Sequence, residues 1–318
     1  MPIYPEIKPN FSELIDTGDG HRIYVERSGR EGGIPVIFLH GGPGSSTNAN
    51  HRRYFDPEFF DIVLFDQRGC GQSLPKGATN NNTTSHLIQD INLIRNTLGL
   101  NQKAVIFGGS WGSALALAYA AQYGESIEAL VLRGIFLGSS EEVLWFTNGL
   151  KRFMPEAHNQ LMWDASDDLV GHYYDRVNLK DIAVAKEACR RWLDYEIQSM
   201  MLGSEIADQT KVERREVTNA ELARARVQLH YLKHSCFFEK DELLQKAAFI
   251  SKPAIIVQGG MDMICPPITA YRLHETLPNS KLNLIPSGGH GSWQSKIADA
   301  LSDEMELLKK SLQANHGN

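Results

Sequence analysis

The stretch that most constrains this chain is Gly108-Gly109-Ser110-Trp111-Gly112, which follows the apolar run Ala104-Val105-Ile106-Phe107 and precedes the helix-forming run from Ser113 to Tyr123. A strand, a turn of small residues and a helix in direct succession form a G-x-S-x-G elbow. Residues with little side chain let the backbone reverse tightly enough to hold the serine hydroxyl clear of the sheet. Ser110 is therefore the candidate nucleophile. A serine hydroxyl is a weak nucleophile near neutral pH, so this chemistry requires a histidine base, a carboxylate to orient it and donors for an oxyanion. The pentapeptide alone carries little weight, because such runs also arise by chance in glycine-containing loops.

The rest of the chain offers a candidate for each requirement. Upstream, the buried-strand pattern Val36-Ile37-Phe38-Leu39 runs into His40-Gly41-Gly42-Pro43-Gly44-Ser45-Ser46, where small side chains let backbone amides approach a substrate oxygen. A phosphate loop is the alternative for this segment, but no G-K-[ST] follows. With an elbow nucleophile one oxyanion donor is the amide after the serine, here Trp111, and the other comes from the loop after the third strand, here Gly42. Downstream, the apolar strand Ala254-Ile255-Ile256-Val257 ends in Gln258-Gly259-Gly260-Met261-Asp262, and Asp262 is the candidate acid. Leu282-Asn283-Leu284-Ile285 leads into Pro286-Ser287-Gly288-Gly289-His290-Gly291, and His290 is the candidate base. The chain order Ser, Asp, His is that of α/β-hydrolases and differs from the orders in the other large serine-hydrolase folds. His40, which opens the oxyanion loop, reads as a positioning residue. The other histidines lack a strand-to-glycine-loop setting and are expected at the surface or in structural roles.

The pattern along the chain predicts an α/β class. A hairpin of Ser12 to Ile15 and Arg22 to Glu26 precedes strands at Val36 to Leu39, Ile62 to Phe65, Ala104 to Phe107 and Ala129 to Leu132. Helical patterns near Thr84 to Leu98 and Ser113 to Tyr123 separate them. With the Ser, Asp, His order, this pattern leads to the expectation of an α/β-hydrolase fold, a mostly parallel sheet flanked by helices, with an inserted helical cap. The core is expected over 1–135 and 249–318. The cap is expected over 136–248, where the strand pattern vanishes and Trp145, Trp163, Trp192, Tyr173, Tyr174 and Tyr195 concentrate. A net charge of −6 argues against a nucleic-acid partner. The N-terminal residues lack the basic region and long apolar run of a signal peptide, and no apolar stretch reaches membrane-spanning length; the expectation is a cytoplasmic protein with no membrane partner. The pattern specifies no oligomeric state. The four cysteines, Cys70, Cys189, Cys236 and Cys265, have neither C-x-x-C nor zinc-like spacing, so free thiols and no metal are expected. Asp66 and Arg68 read as a structural ion pair, and Glu141-Glu142 as a solvated helix face.

A family resemblance rests on His40-Gly41-Gly42-Pro43-Gly44, Phe55-Asp56-Pro57, Asp66 to Ser73, Asn81-Asn82-Thr83-Thr84, Gly108 to Ser113 and Arg133-Gly134-Ile135-Phe136, extended by Asp262 to Cys265 and Gly289-His290. These segments resemble the bacterial proline iminopeptidase (prolyl aminopeptidase) family of the α/β-hydrolase superfamily. The resemblance implies release of an N-terminal proline from small peptides by the triad Ser110, Asp262 and His290, with no metal or organic cofactor. It also implies that Phe136 packs against a proline ring, with ordinary core packing as the alternative.

The cap departs from the family pattern at the place where that family reads its substrate. The family has a W-x-x-[WY]-E segment and an A-R-I-E-x-H-Y-F segment, whose glutamates bind the free amino end. Here the first reads Trp192-Leu193-Asp194-Tyr195-Glu196 and keeps its glutamate. The second reads Ala225-Arg226-Val227-Gln228-Leu229-His230-Tyr231-Leu232, with Gln228 at the glutamate position and Leu232 at the aromatic one. Phe146 stands where the family tends to have a tyrosine. Losing one charge-assisted hydrogen bond to an ammonium costs roughly 1.5–3 kcal/mol, or about tenfold to a hundredfold in binding. The readings that follow are an iminopeptidase, an esterase, lactonase or amidase of small acyl substrates with a remodelled cap, and a non-catalytic binding protein, against which the complete triad argues.

Overall fold

The computed structural model describes residues 4–163, 167–202 and 216–316. Eight strands, β1 (Phe11–Asp16), β2 (Arg22–Gly29), β3 (Ile34–Leu39), β4 (Phe60–Phe65), β5 (Ala104–Gly109), β6 (Ile127–Arg133), β7 (Ala254–Gly259) and β8 (Ser280–Ile285), form one sheet in the order β1-β2-β4-β3-β5-β6-β7-β8. β1 with β2 and β2 with β4 pair antiparallel; every other pairing is parallel. The expected strands of the sheet all form, reaching one to three residues beyond the stretches that announced them. β4 and β5 are buried at every position. Parallel strands covered on both faces lose the apolar-polar alternation of a half-exposed strand, which is why these runs read as unbroken hydrophobic blocks.

Alternation survives in how side chains divide between two cores. Ile37, Leu39, Val63, Phe65 and Ile106 point to one face, where they meet α1 (Thr84–Thr97) and α2 (Trp111–Tyr123). Val36, Phe38, Ile62, Leu64, Val105 and Phe107 point to the other, where they meet the C-terminal helix over 295–316. α2 is apolar nearly all round and buried along most of its length, as suits a helix packed beneath a second layer.

Between β6 and β7 no strand occurs among the described residues; 164–166 and 203–215 lie outside them. The segment folds as α3 (Ser140–Asn148), α4 (Pro155–Met162), α5 (Leu169–Val177), α6 (Ile182–Met201) and α7 (Asn219–Lys233), followed by α8 (Glu242–Ala247). Polar residues start most of these helices: Ser139 with Glu142 and Thr218 with Glu221 form capping boxes, and Asp168 and Asp181 cap α5 and α6. Trp192, Tyr173 and Tyr195 sit in a third core, with Leu222 and Leu229 of α7. The end of the segment behaves differently: Cys236, Leu243 and Ala247 join the first core, and α8 packs on α2. α9 (Pro267–Thr276) and α10 (Ser295–His316) complete the chain. No helix among the described residues is long and apolar enough to cross a membrane.

Candidate active site

The elbow places Ser110 between β5 and α2 with φ 56° and ψ −125°, a left-handed conformation that a non-glycine residue adopts at a cost of about 1–3 kcal/mol. Its amide donates to the Arg133 carbonyl at 2.8 Å, which ties the turn to the end of β6. Glycine at position 112 is a packing requirement, because a Cβ there would lie 2.1 Å from the carbonyl oxygen of Leu39. The first turn of α2 thus rests on the end of β3, where the glycine-rich loop begins.

His290 and Asp262 approach from the ends of β8 and β7. Nδ1 of His290 lies 2.8 Å from Oδ2 of Asp262, with the histidine 8% and the aspartate 2% exposed. The other carboxylate oxygen, Oδ1, accepts from the amides of Ile264 (3.0 Å) and Cys265 (2.8 Å), so the acid is fixed by backbone before it orients the imidazole. The histidine loop is anchored in turn by the Arg133 guanidinium, which donates to the His290 carbonyl. Gln258, buried at the end of β7, accepts from the Ile135 amide at 3.0 Å and donates to the Cys265 carbonyl at 2.9 Å, which joins the acid loop to the chain leaving β6.

The glycine loop reaches the nucleophile directly: a Cβ on Gly41 would stand 3.3 Å from Cβ of Ser110. A buried network links this loop to Trp111. Nδ1 of His40 lies 2.9 Å from the Gly41 carbonyl, the Gln67 amide donates to His40 Nε2 at 3.0 Å, and the Trp111 indole donates to Gln67 Oε1 at 2.8 Å. Burial pushes the His40 pKa down, so the ring stays neutral and positions the loop. Trp111 is the first residue of α2, and its amide is one the helix itself does not engage.

Ser110 and His290 open into a cavity of about 280 Å³, at the small end for ligand sites. Phe136, Phe146, Glu196, Gln228 and Leu232 all line it. At its cap end α6 and α7 face each other. Gln228 Nε2 donates to Glu196 Oε1 at 2.9 Å, while Gln228 Oε1 accepts from the Trp192 indole at 2.9 Å, which fixes the direction of the amide. The second carboxylate oxygen of Glu196 accepts from the guanidinium of Arg224, one helical turn before Gln228. Phe146 packs edge-on against both Trp192 and Tyr195.

Comparison with known proteins agrees with this geometry. A family model described as the alpha/beta hydrolase fold matches residues 34–292. A probable proline iminopeptidase of Leptolyngbya boryana is 39% identical over 308 residues, covering 95% of each chain. A proline iminopeptidase of Xylella fastidiosa (strain Temecula1) is 39% identical over 311 residues, covering 94% of this chain and 96% of its own. This chain belongs to the proline iminopeptidase family of α/β-hydrolases. Among solved structures, a proline iminopeptidase from Mycobacterium smegmatis superposes with a TM-score of 0.63 at 17% identity, over 94% of this chain and 98% of that one, which shows the shared fold.

Within the proline iminopeptidase family frame, Asp66, Arg68 and Glu142 differ from their sequence reading, and the surroundings of His51, Cys265 and Arg224 add to it. Asp66 and Arg68 do not pair with each other: Arg68 forms a fork onto Asp90 of α1 (2.7 Å) and reaches Asp19, while Asp66 accepts from the Thr47 amide at 2.7 Å and the Gln72 amide at 2.8 Å. Residues two apart in a tight turn point in different directions and find separate partners. Glu141 is exposed, but Glu142 is not on a solvated face: it lines the cavity and accepts from the amides of Leu137 (3.0 Å) and Ser139 (2.9 Å), and burial raises its pKa. The S-x-x-E spacing of Ser139 and Glu142 carried that signal. His51, expected at the surface or in a structural role, stacks on Phe38 with ring centroids 4.3 Å apart and lines the cavity. Its pKa is pushed down to about 3, chiefly by burial. Cys265 is buried in the cavity wall, and burial with the nearby Asp262 raises its thiol pKa, so it stays protonated and unreactive. Arg224 was missed altogether; its partner comes from another helix, 28 residues earlier.

Proposed function

We propose that this chain is a serine hydrolase that releases an N-terminal prolyl residue from small peptides. The observation that carries the reading is the His290–Asp262 pair at 2.8 Å beside an elbow serine, in a cavity also lined by Phe136 and Glu196, within a chain 39% identical to relatives named proline iminopeptidase. His290 takes the Ser110 proton as Oγ bonds to the prolyl carbonyl carbon, and the carbonyl electron pair moves onto oxygen. The amides of Gly42 and Trp111 receive that oxyanion. Collapse breaks the C–N bond, with the proton passing from His290 to the departing amine. Water, deprotonated by His290, then attacks the acyl-enzyme; its proton returns to Ser110, and proline leaves. Asp262 holds the tautomer and stabilises the imidazolium throughout. Phe136 offers the pyrrolidine ring an apolar wall, and Glu196 offers the ring ammonium a carboxylate.

A second reading, hydrolysis of esters, lactones or amides without a free amine, is favoured by one observation: both Glu196 oxygens already accept hydrogen bonds from Gln228 and Arg224. The measurement that separates the readings is kcat/KM on proline p-nitroanilide, alanine p-nitroanilide and a short-chain p-nitrophenyl ester, with Ser110→Ala as the blank. Proline turnover that exceeds alanine turnover by about a hundredfold or more, equivalent to ~2.7 kcal/mol of discrimination, and that vanishes in Ser110→Ala supports the iminopeptidase. Ester turnover without proline turnover overturns it.

A further inference from the structure

The cap end of the cavity is built as an internal ion pair. Glu196 lies on α6, and Gln228 and Arg224 lie four residues apart on one face of α7. Glu196 is nearly buried, and of its two oxygens one takes the Gln228 amide and the other the Arg224 guanidinium. The charge that would attract a substrate ammonium is therefore already balanced by a cation in the cavity wall. Arg224 is also under-used as a donor: its Nε is buried with no hydrogen-bond partner among the described residues. A buried donor without a partner is a place where an acceptor gains binding. Nor is α7 free to drift away, since its backbone is seated on the oxyanion loop where Gly44 meets the Arg224 carbonyl.

We propose that Arg224 is a specificity-determining residue that occupies Glu196 in the substrate-free site. A substrate ammonium must displace it, whereas an acyl group with a hydrogen-bond acceptor at the same place is met by its spare donor. This rests on the proposed hydrolysis at Ser110 and names the acyl chemistry that the site accepts beyond a free N-terminal proline. Discrimination is a difference between affinities, so a guanidinium that repels one group and binds the other acts twice.

Three p-nitroanilides with the same five-membered ring test it: prolyl, with a ring ammonium; cyclopentanecarbonyl, with carbon there; and tetrahydrofuran-2-carbonyl, with an acceptor oxygen. Arg224→Leu is expected to raise kcat/KM on the prolyl compound about tenfold through KM, to leave the cyclopentanecarbonyl compound unchanged, and to lower the tetrahydrofuran-2-carbonyl compound about threefold or more. Arg224→Lys, which keeps the charge, should retain the wild-type order for the prolyl and cyclopentanecarbonyl compounds. Unchanged or weaker prolyl turnover in Arg224→Leu, with cyclopentanecarbonyl turnover intact, overturns the proposal. Binding keeps the assignment of Arg224 separate from the assigned reaction. In Ser110→Ala, the Kd for prolinamide measured by calorimetry should tighten about tenfold when Arg224→Leu is added, whether or not the wild-type protein turns over any anilide. An unchanged or weaker Kd overturns the role of Arg224. Absence of Ser110-dependent turnover together with the tightened Kd overturns only the assigned reaction.

Discussion

Ser110 occupies backbone angles that suit glycine better than serine, and the fold holds it there through the Arg133 carbonyl and the contact of Gly112 with Leu39. Strain of this kind is released by removing the side chain. Ser110→Gly is thus expected to abolish turnover and yet stabilise the protein by about 1 kcal/mol relative to Ser110→Ala, which keeps a Cβ at the same φ. Thermal unfolding of the two variants checks this. A Tm for Ser110→Gly roughly 2 °C or more above that of Ser110→Ala is expected, and an equal or lower Tm means the elbow is not strained. At this scale the candidate triad could be picked out because each member stands just beyond an apolar strand, in a loop rich in small residues. Arg224 was not, because its importance arises only when α7 brings it against Glu196. Glu142 lay between these cases: its capping-box spacing was present, but its burial depends on the chain before α3 folding back over it.

Helices and strands were legible in proportion to how fully their own residues bury them. β4 and β5, buried throughout, announced themselves as apolar runs; α6 and α7 carry mixed faces that pack on α5 as well as on one another, so only their helical character could be read. The docking of α7 depends on close approach to loops far away in the chain. Gly44, with φ +88°, meets the Arg224 carbonyl, and a Cβ there would lie 2.5 Å from that oxygen. Gly44→Ala must either strain the loop or push α7 outward, and it is expected to cost about 2 kcal/mol or more. Because the same loop carries Gly42, kcat/KM should fall about tenfold or more as well. Urea unfolding and initial rates measured on one preparation provide the check. Wild-type stability in this variant would show that α7 is not seated through Gly44.

At the scale of the whole molecule, the sheet supplies fixed strand ends and the helical segment between β6 and β7 closes over them, so titratable groups of both parts are shut away from water. His40, His51, His158 and His230 all have pKa values pushed below the ordinary histidine value, first by burial, and His51 is pushed down to about 3. The sign of the consequence follows from proton counting. Above the unfolded pKa of ~6.5 neither state binds these protons, and stability is complete. Below it the unfolded chain takes them up and the folded chain does not, so stability falls by as much as ~1.4 kcal/mol per pH unit for each histidine that stays neutral. Asp90 and Glu142, whose pKa values burial raises, act in the opposite sense. Asp19, pushed down to about 2, contributes only in stronger acid, as pH falls below the ordinary aspartate value. The urea midpoint is therefore expected to drop between pH 7.5 and pH 5.5, well before carboxylates with ordinary values titrate. His51→Gln removes one of the four groups while keeping an acceptor for the Asn48 amide, and it should make that drop shallower. A midpoint that is flat or rises on acidification in the wild type, or an identical drop in His51→Gln, would mean that water reaches these imidazoles and that the cavity wall is looser than its packing implies.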